Sequence, residues 1–316
     1  MKHYQTRRAR WLDVVGLILL LAGAALLFAP LIEGAFAQHE MNEEISKVAQ
    51  VNSDIKEKTQ GESLDSSMGE LRDWLESYNQ QVLSGSIGIS SDPFSFTDAI
   101  NEFGSRGLED GLIGYIQIPA MSSSLPLYLG STKEHLKRGA TVVEGSSAPL
   151  GETTSNCVIA AHRGYGSPSM MFRDIEKLLV GDKVYVTTLW ETLTYTVVGT
   201  KVIDPSDTAA VGIQQGRDLV TLITCHPYGS TASRYVVECE RSNEDDAANE
   251  EVSAAQEAAV SATETRGDGR KGPSLPEIED AARIAGGIVL IICAAVLTVR
   301  TVRDRQTLRT FGKHSK

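Results

Sequence analysis

In the run TLITCHPYGSTASRYVVECE, residues 221–240, one apolar, β-prone segment ends on Cys225 and a second opens on Arg234, nine residues later. Acyl transfer by a cysteine needs a thiolate, a group that manages the proton of the leaving amine, and a positive or N–H donor for the developing oxyanion. Pro227 and Gly229 supply a turn between the two segments. If the segments pair antiparallel, Arg234 falls beside Cys225, and an arginine stays charged and donates several hydrogen bonds. The third partner should be one of the six histidines. His3 and His314 lie in basic tails, His39 follows an apolar segment and His135 sits on a charged helical stretch. His226 adjoins Cys225 but would face the other way in a continued strand. His162 ends the apolar run 157–161 and precedes Arg163-Gly164-Tyr165-Gly166, a strand-end position like that of Cys225. Position alone favours His162 over His226 by a narrow margin. Taken singly, each residue has a plainer reading: a core cysteine, a disulfide of Cys225 with Cys157 or Cys239, a solvated histidine, a surface arginine.

These residues need a frame that brings strand ends together. From Gly111 onward the pattern predicts eight short strands at 113–118, 125–129, 141–144, 157–161, 183–189, 192–203, 220–224 and 234–240, separated by turn residues. That is the pattern of a closed or nearly closed β-barrel. Two short helices are expected within it, at 132–137 and at 170–179, the latter with Met171, Phe172, Ile175, Leu178 and Leu179 on one face. Before the barrel, 38–83 reads as helix and 84–107 as a Ser/Gly-rich loop carrying Asp92-Pro93-Phe94. After it, 242–280 lacks aromatics and is rich in Glu, Ala, Ser and Asp, the composition of a solvated, flexible linker.

Both ends of the chain are apolar. Residues 14–32 carry no charge over roughly 19 positions, enough for a transmembrane helix, and follow Lys2, Arg7, Arg8 and Arg10. A cleaved signal peptide is the rival reading, because Ala35-Phe36-Ala37 resembles a cleavage site; the length of the apolar run favours an anchor. Residues 284–299 form a second apolar run followed by Arg300, Arg303, Arg305, Arg309, Lys313 and Lys316. Basic residues at the outer end of both runs place both termini in the cytoplasm and the middle outside. Residues 34–282 hold 19 basic and 38 acidic side chains, a net of −19. With −11 overall, the chain is not suited to nucleic acid. The four cysteines match no zinc spacing, and neither a metal nor another cofactor is expected.

Thr221-Leu222-Ile223-Thr224-Cys225 with Arg234 resembles the TLxTC…R signature of sortases, cysteine transpeptidases of Gram-positive cell surfaces. Tyr115-Ile116-Gln117-Ile118-Pro119 with Leu125-Pro126-Leu127-Tyr128, Ala160-Ala161-His162-Arg163-Gly164, and Phe172 to Leu178 with Val180-Gly181-Asp182-Lys183 resemble further family segments in the family's order. The resemblance covers about 84–241; Ala120-Met121-Ser122-Ser123-Ser124 departs from it without touching a catalytic position. It implies an eight-stranded sortase-like barrel in a mainly β chain, with Cys225 as nucleophile, His162 as general acid and base, and Arg234 at the oxyanion. Asp92-Pro93-Phe94 and the second apolar run are similar to the lid and C-terminal membrane segment of class C, pilin-polymerising sortases. Asp92 would then pair with Arg234 and Phe94 would cover Cys225. The implied partners are pilin subunits with LPxTG-like sorting signals; the alternative is a housekeeping sortase that anchors proteins to peptidoglycan precursor. The expected division is a tail and membrane segment over 1–37, an extracellular helical region over 38–83, a lid loop over 84–107, the catalytic barrel over 108–241, the linker over 242–280, and a second membrane segment with its basic tail over 281–316.

Overall fold

Eight strands close into a barrel in the order β1-β2-β3-β4-β7-β8-β6-β5. They are β1 (Leu112–Ile118), β2 (Ser123–Leu129), β3 (Ala140–Val142), β4 (Ser155–Ala160), β5 (Lys183–Thr188), β6 (Thr192–Ile203), β7 (Asp218–His226) and β8 (Ser233–Arg241). The fold is that of a computed structural model, which describes residues 2–59, 66–95, 102–108, 111–163, 171–242 and 275–313. All eight expected strands are present, and β6 has the predicted bounds. Of residues 143 and 144, expected in β3, Val143 still donates to Val158 O of β4 at 2.8 Å, while its own carbonyl accepts from Ser146 N in the turn that ends the strand. Most neighbours pair antiparallel, but β4 runs parallel to β7, with Cys157 opposite Val220 and Ala160 opposite Ile223. Parallel pairing brings the C-terminal ends of β4 and β7 to the same rim.

β4 is buried along its whole length and β2 over its last five residues, whereas the second half of β6 alternates and faces solvent on one side. Tyr128, Phe172, Tyr195, Leu125, Leu127 and Ile116 fill the interior. Full burial of such side chains stabilises the fold by about 1.5–3 kcal/mol each. Helix α3 (Lys133–Arg138) starts where the Thr132 hydroxyl accepts from His135 N and ends at Gly139, matching the expected helix. The helix expected over 170–179 is not formed. Residues 171–174 are turns and Ile175–Lys177 is a single 3-10 turn. Phe172, Ile175 and Leu178 are buried at a spacing of three, and N–H groups of Ile175 and Leu178 bond three residues back. Apolar period three suits a 3-10 turn as well as one face of an α-helix.

Helix α1 (Lys2–Thr59) runs unbroken through the first apolar segment, and α2 is Ser66–Leu83, so the expected helical region is two helices. α2 buries Leu71, Leu75, Tyr78 and Val82 on one face against the main core. Asn79 exchanges two hydrogen bonds with the backbone of Ala148, and the Tyr78 hydroxyl accepts from Gly145 N at 2.8 Å. On α1, Met41 and Val48 join the same core, and the Asn52 amide donates to Thr188 O at 2.9 Å.

Residues Met1–Gly34 with Lys271–Lys316 make one unit and Ala35–Arg270 the other. The first contains the start of α1 and helix α4 (Leu275–Lys313), which touch where Phe28 meets Gly287. α1 and α4 are long and apolar enough to cross a membrane. α4 begins six residues before the expected second membrane segment; residues 243–274 of the expected linker and residues 164–170 lie outside the described residues.

Closure of the barrel depends on the approach of β1 to β5. A Cβ at Gly114 would lie 2.2 Å from Thr187 O, whereas one at Gly199 on β6 would meet nothing within 4 Å. Gly114→Ala is therefore expected to destabilise the protein by about 1–3 kcal/mol, seen as a lower thermal midpoint of the full chain in detergent. Gly199→Ala, measured alongside, should leave the midpoint within a degree or so of the parent.

Candidate active site

β7 and β8 are antiparallel neighbours whose register sets Cys225 directly opposite Arg234. Past β4 the chain continues alongside β7: Ala161 N donates to Ile223 O at 3.3 Å, and the Thr224 hydroxyl donates to Ala161 O at 2.6 Å. The residue after Ala161 is His162, so the parallel pair delivers His162 and Cys225 to one rim. His162 is further fixed through its carbonyl, which accepts from Phe172 N at 2.9 Å. The three residues singled out in the sequence thus stand on adjacent strand ends. His226 turns away, to Glu176 and Arg163, and its ring lies 5.6 Å from that of Tyr235.

Residues 84–95 cross this rim. The crossing passes so close to Gly145 that a Cβ there would lie 2.3 Å from the backbone of Gly88, and Gly145 adopts φ +86°. Beyond it, Pro93–Ser95 form a 3-10 turn. The turn aims Asp92 at Arg234: Nε donates to Oδ1 at 2.7 Å and Nη2 to Oδ2 at 2.6 Å. Nη1 donates to Thr231 O and Ser233 O, so this guanidinium, 4% exposed, is largely saturated by its surroundings. Phe94 is buried, with Arg234 Cζ 5.2 Å and the His162 ring 5.8 Å from its ring centroid. Cys225 packs against the apolar cluster that contains Phe94. Asp92 thus pairs with Arg234, and Phe94 lies in the cluster against which Cys225 packs.

All four cysteines are free, so the disulfide alternative does not apply. Burial pushes the Cys225 thiol up; Asp92 adds to this, while Arg234 and Arg163 oppose it. Cys157 and Cys239, fully inside the barrel, are raised far more and have no cation to offset burial. Burial also lowers His162 below its ordinary value. With the rim covered, thiol and imidazole are both biased to their neutral forms. Arg163 was not singled out in the sequence beyond following His162; that adjacency was the only signal.

A cysteine, a histidine and an arginine thus stand together on adjacent strand ends of a closed barrel. The sortase-domain family profile matches residues 116–242. Sortase A of Bacillus anthracis is 26% identical over 230 residues, covering 73% of this chain and 94% of that protein. Sortase A of Streptococcus agalactiae is 27% identical, covering 77% and 89%. Among solved structures, sortase C1 of the group B Streptococcus pilus island 1 is 28% identical with a TM-score of 0.53, covering 63% of this chain and 93% of that one. Sortase C of Streptococcus pneumoniae is 29% identical with a TM-score of 0.50, covering 61% and 96%. Residues 116–242 are a sortase domain, and the similarity to sortases supports a sortase transpeptidase.

Replacing Asp92 by Ala removes the carboxylate that adds to the thiol's upward shift and uncovers the rim. The Cys225 thiol should then titrate at lower pH, and its alkylation at neutral pH should rise by up to roughly tenfold, the effect of one pKa unit. Iodoacetamide labelling of the Cys225 peptide, followed by mass spectrometry, measures this; equal rates in parent and variant would remove the gating role of the segment.

Proposed function

We propose that this protein is a class C sortase that builds covalent pili. The observation that carries the reading is the bidentate Asp92–Arg234 pair with Phe94 over the rim, a lid formed by the chain itself. Two membrane-length helices and the pilus-associated names of the structural neighbours support it. The catalytic domain lies outside the cell between two spans, both termini are cytoplasmic, and the acidic segment 243–274, ahead of α4, is a tether.

The chemistry proceeds in two acyl transfers. Once Asp92 leaves Arg234, the Cys225 thiol passes its proton to His162 and the thiolate attacks the Thr–Gly carbonyl of an LPxTG-like sorting signal. Arg234 donates to the oxyanion with the N–H groups that Asp92 had occupied. His162 protonates the glycine amine as the C–N bond breaks, leaving a thioester on Cys225. A lysine amine of a second pilin attacks the thioester, His162 accepts its proton, and an isopeptide bond joins the subunits as the thiolate departs. Burial favours the neutral imidazole needed to accept that proton.

The curated relatives named sortase A favour a second reading, anchoring to peptidoglycan precursor. Purified pilin subunits with the full-length enzyme separate the two. A ladder of covalent multimers is expected; absence of a ladder with efficient transfer to a small glycine amine would favour anchoring. Cys225→Ala should abolish turnover, and unchanged turnover would sink the catalytic assignment. Arg234→Ala should lower kcat by roughly 10²–10³-fold, the usual effect of removing an oxyanion donor.

A further inference from the structure

A second buried arginine borders the same cysteine. The Arg163 side chain is 5% exposed, and such a cation is seldom enclosed without paired partners. Its Nη1 donates to the carbonyl of Cys225 at 3.4 Å and lies 3.2 Å from His226 Nδ1. Its Nη2 pairs with Glu176 Oε1 at 2.6 Å, and the same oxygen lies 3.0 Å from His226 Nδ1. The three side chains come from the residue after His162, from the 3-10 turn Ile175–Lys177 and from the end of β7. Cys225 therefore stands between two arginine–carboxylate pairs, Arg234 with Asp92 and Arg163 with Glu176.

We propose that Arg163 is a positioning residue of the acyl-transfer site: it pins the Cys225–His226 peptide so that the thiol faces His162 and Arg234, and it lends that thiol a second fixed positive charge. The proposal rests on the reading of Cys225 as nucleophile. Side chains on successive strand residues point to opposite faces. Holding His226 against Glu176 therefore commits Cys225 to the other face, and the Ser233 hydroxyl, donating to His226 O at 3.0 Å, secures the same peptide from β8. The charge acts in the right direction, since Arg163 opposes the upward push of burial and of Asp92 on the thiol. The two pairs also differ in burial. Asp92 is 14% exposed, whereas the Glu176 carboxylate is 46% exposed and screened by water. Arg163 consequently keeps more of its field at the thiol than a fully enclosed ion pair would. It stays in place when the lid departs, because nothing in the lid binds it among the described residues. Through Nη1 the guanidinium meets both the Cys225 carbonyl and the His226 ring while Nη2 holds Glu176; a lysine supplies the charge without this fork.

The test uses the full-length protein in detergent, in the Asp92→Ala background so that the lid does not limit access. Alkylation of the Cys225 peptide is followed from about pH 5 to 10, alongside kcat and KM for a sorting-signal peptide. Arg163→Gln is expected to move the alkylation midpoint to higher pH, lowering labelling at neutral pH by about three- to tenfold. It should also lower kcat with KM little changed. Arg163→Lys should return most of the midpoint shift and only part of kcat. Glu176→Gln keeps the arginine and removes its counter-charge, so its midpoint should fall; this variant and Arg163→Lys carry the test if Arg163→Gln does not fold. An unchanged midpoint in Arg163→Gln, with or without a lower thermal midpoint, overturns the proposal, as does an unchanged midpoint in Glu176→Gln. Turnover that survives Cys225→Ala overturns instead the reading on which the proposal rests.

Discussion

The guanidinium of Arg234 lies almost wholly out of water beside a cysteine, and its charge must be met there. Desolvating such an ion costs several kcal/mol unless oxygens replace the lost water, and removing one partner of a buried pair costs about 3–5 kcal/mol. Asp92 meets the charge through two parallel bonds and the carbonyls of Thr231 and Ser233 take the remaining donor. Around that demand the rest is arranged. The β7–β8 register fixes where the cation is, the crossing at Gly145 fixes where the carboxylate comes from, and Phe94 keeps water from the space between. A group that displaces Asp92 without presenting an oxygen of its own would leave the arginine uncompensated.

The same balance sets one thiol of the three in the barrel apart from the others. Cys157 and Cys239 are as apolar in their surroundings as leucines and are held as thiols. Cys225 is half-buried, at a rim, with cations on two sides. Burial still wins while the lid carboxylate is close, so the covered site is quiet rather than primed. Asp92, carried by the segment that crosses the rim, adds to that push, whereas Arg234 and Arg163, on a strand and at a strand end, oppose it.

Much of this was legible in the chain. Strand-length runs bounded by turn residues gave all eight barrel strands, because a closed barrel alternates short β segments with tight connections and little else. Cys225, His162 and Arg234, which the structure brings to one rim, stand out in the sequence because strand ends are where a barrel can expose a side chain, and Asp92 and Phe94 through resemblance to a known family. The segment after His162 was misread as an α-helix: apolar residues at 172, 175 and 178 fit either helix type, and the choice was made by the hydrogen bond from Phe172 N to His162 O and by packing into the core. The Arg163–Glu176–His226 cluster was out of reach for a related reason. It forms only once β4 lies parallel to β7 and that turn folds over their ends, and no local pattern encodes a meeting of three distant segments.

The lid is covalently part of the chain it covers, and this has a consequence for concentration. A tethered carboxylate confronts its arginine at an effective concentration on the order of millimolar, whatever the dilution of the enzyme. A free peptide must compete with that standing occupant, and its apparent affinity falls in proportion to the fraction of open molecules. Under the membrane anchoring proposed above, two-dimensional confinement would change the contest, because substrate held in the same membrane would be presented at a raised local concentration. An enzyme built that way would be indifferent to stray soluble peptides and responsive to crowding, with the surface density of its substrate, rather than the bulk amount, setting its rate.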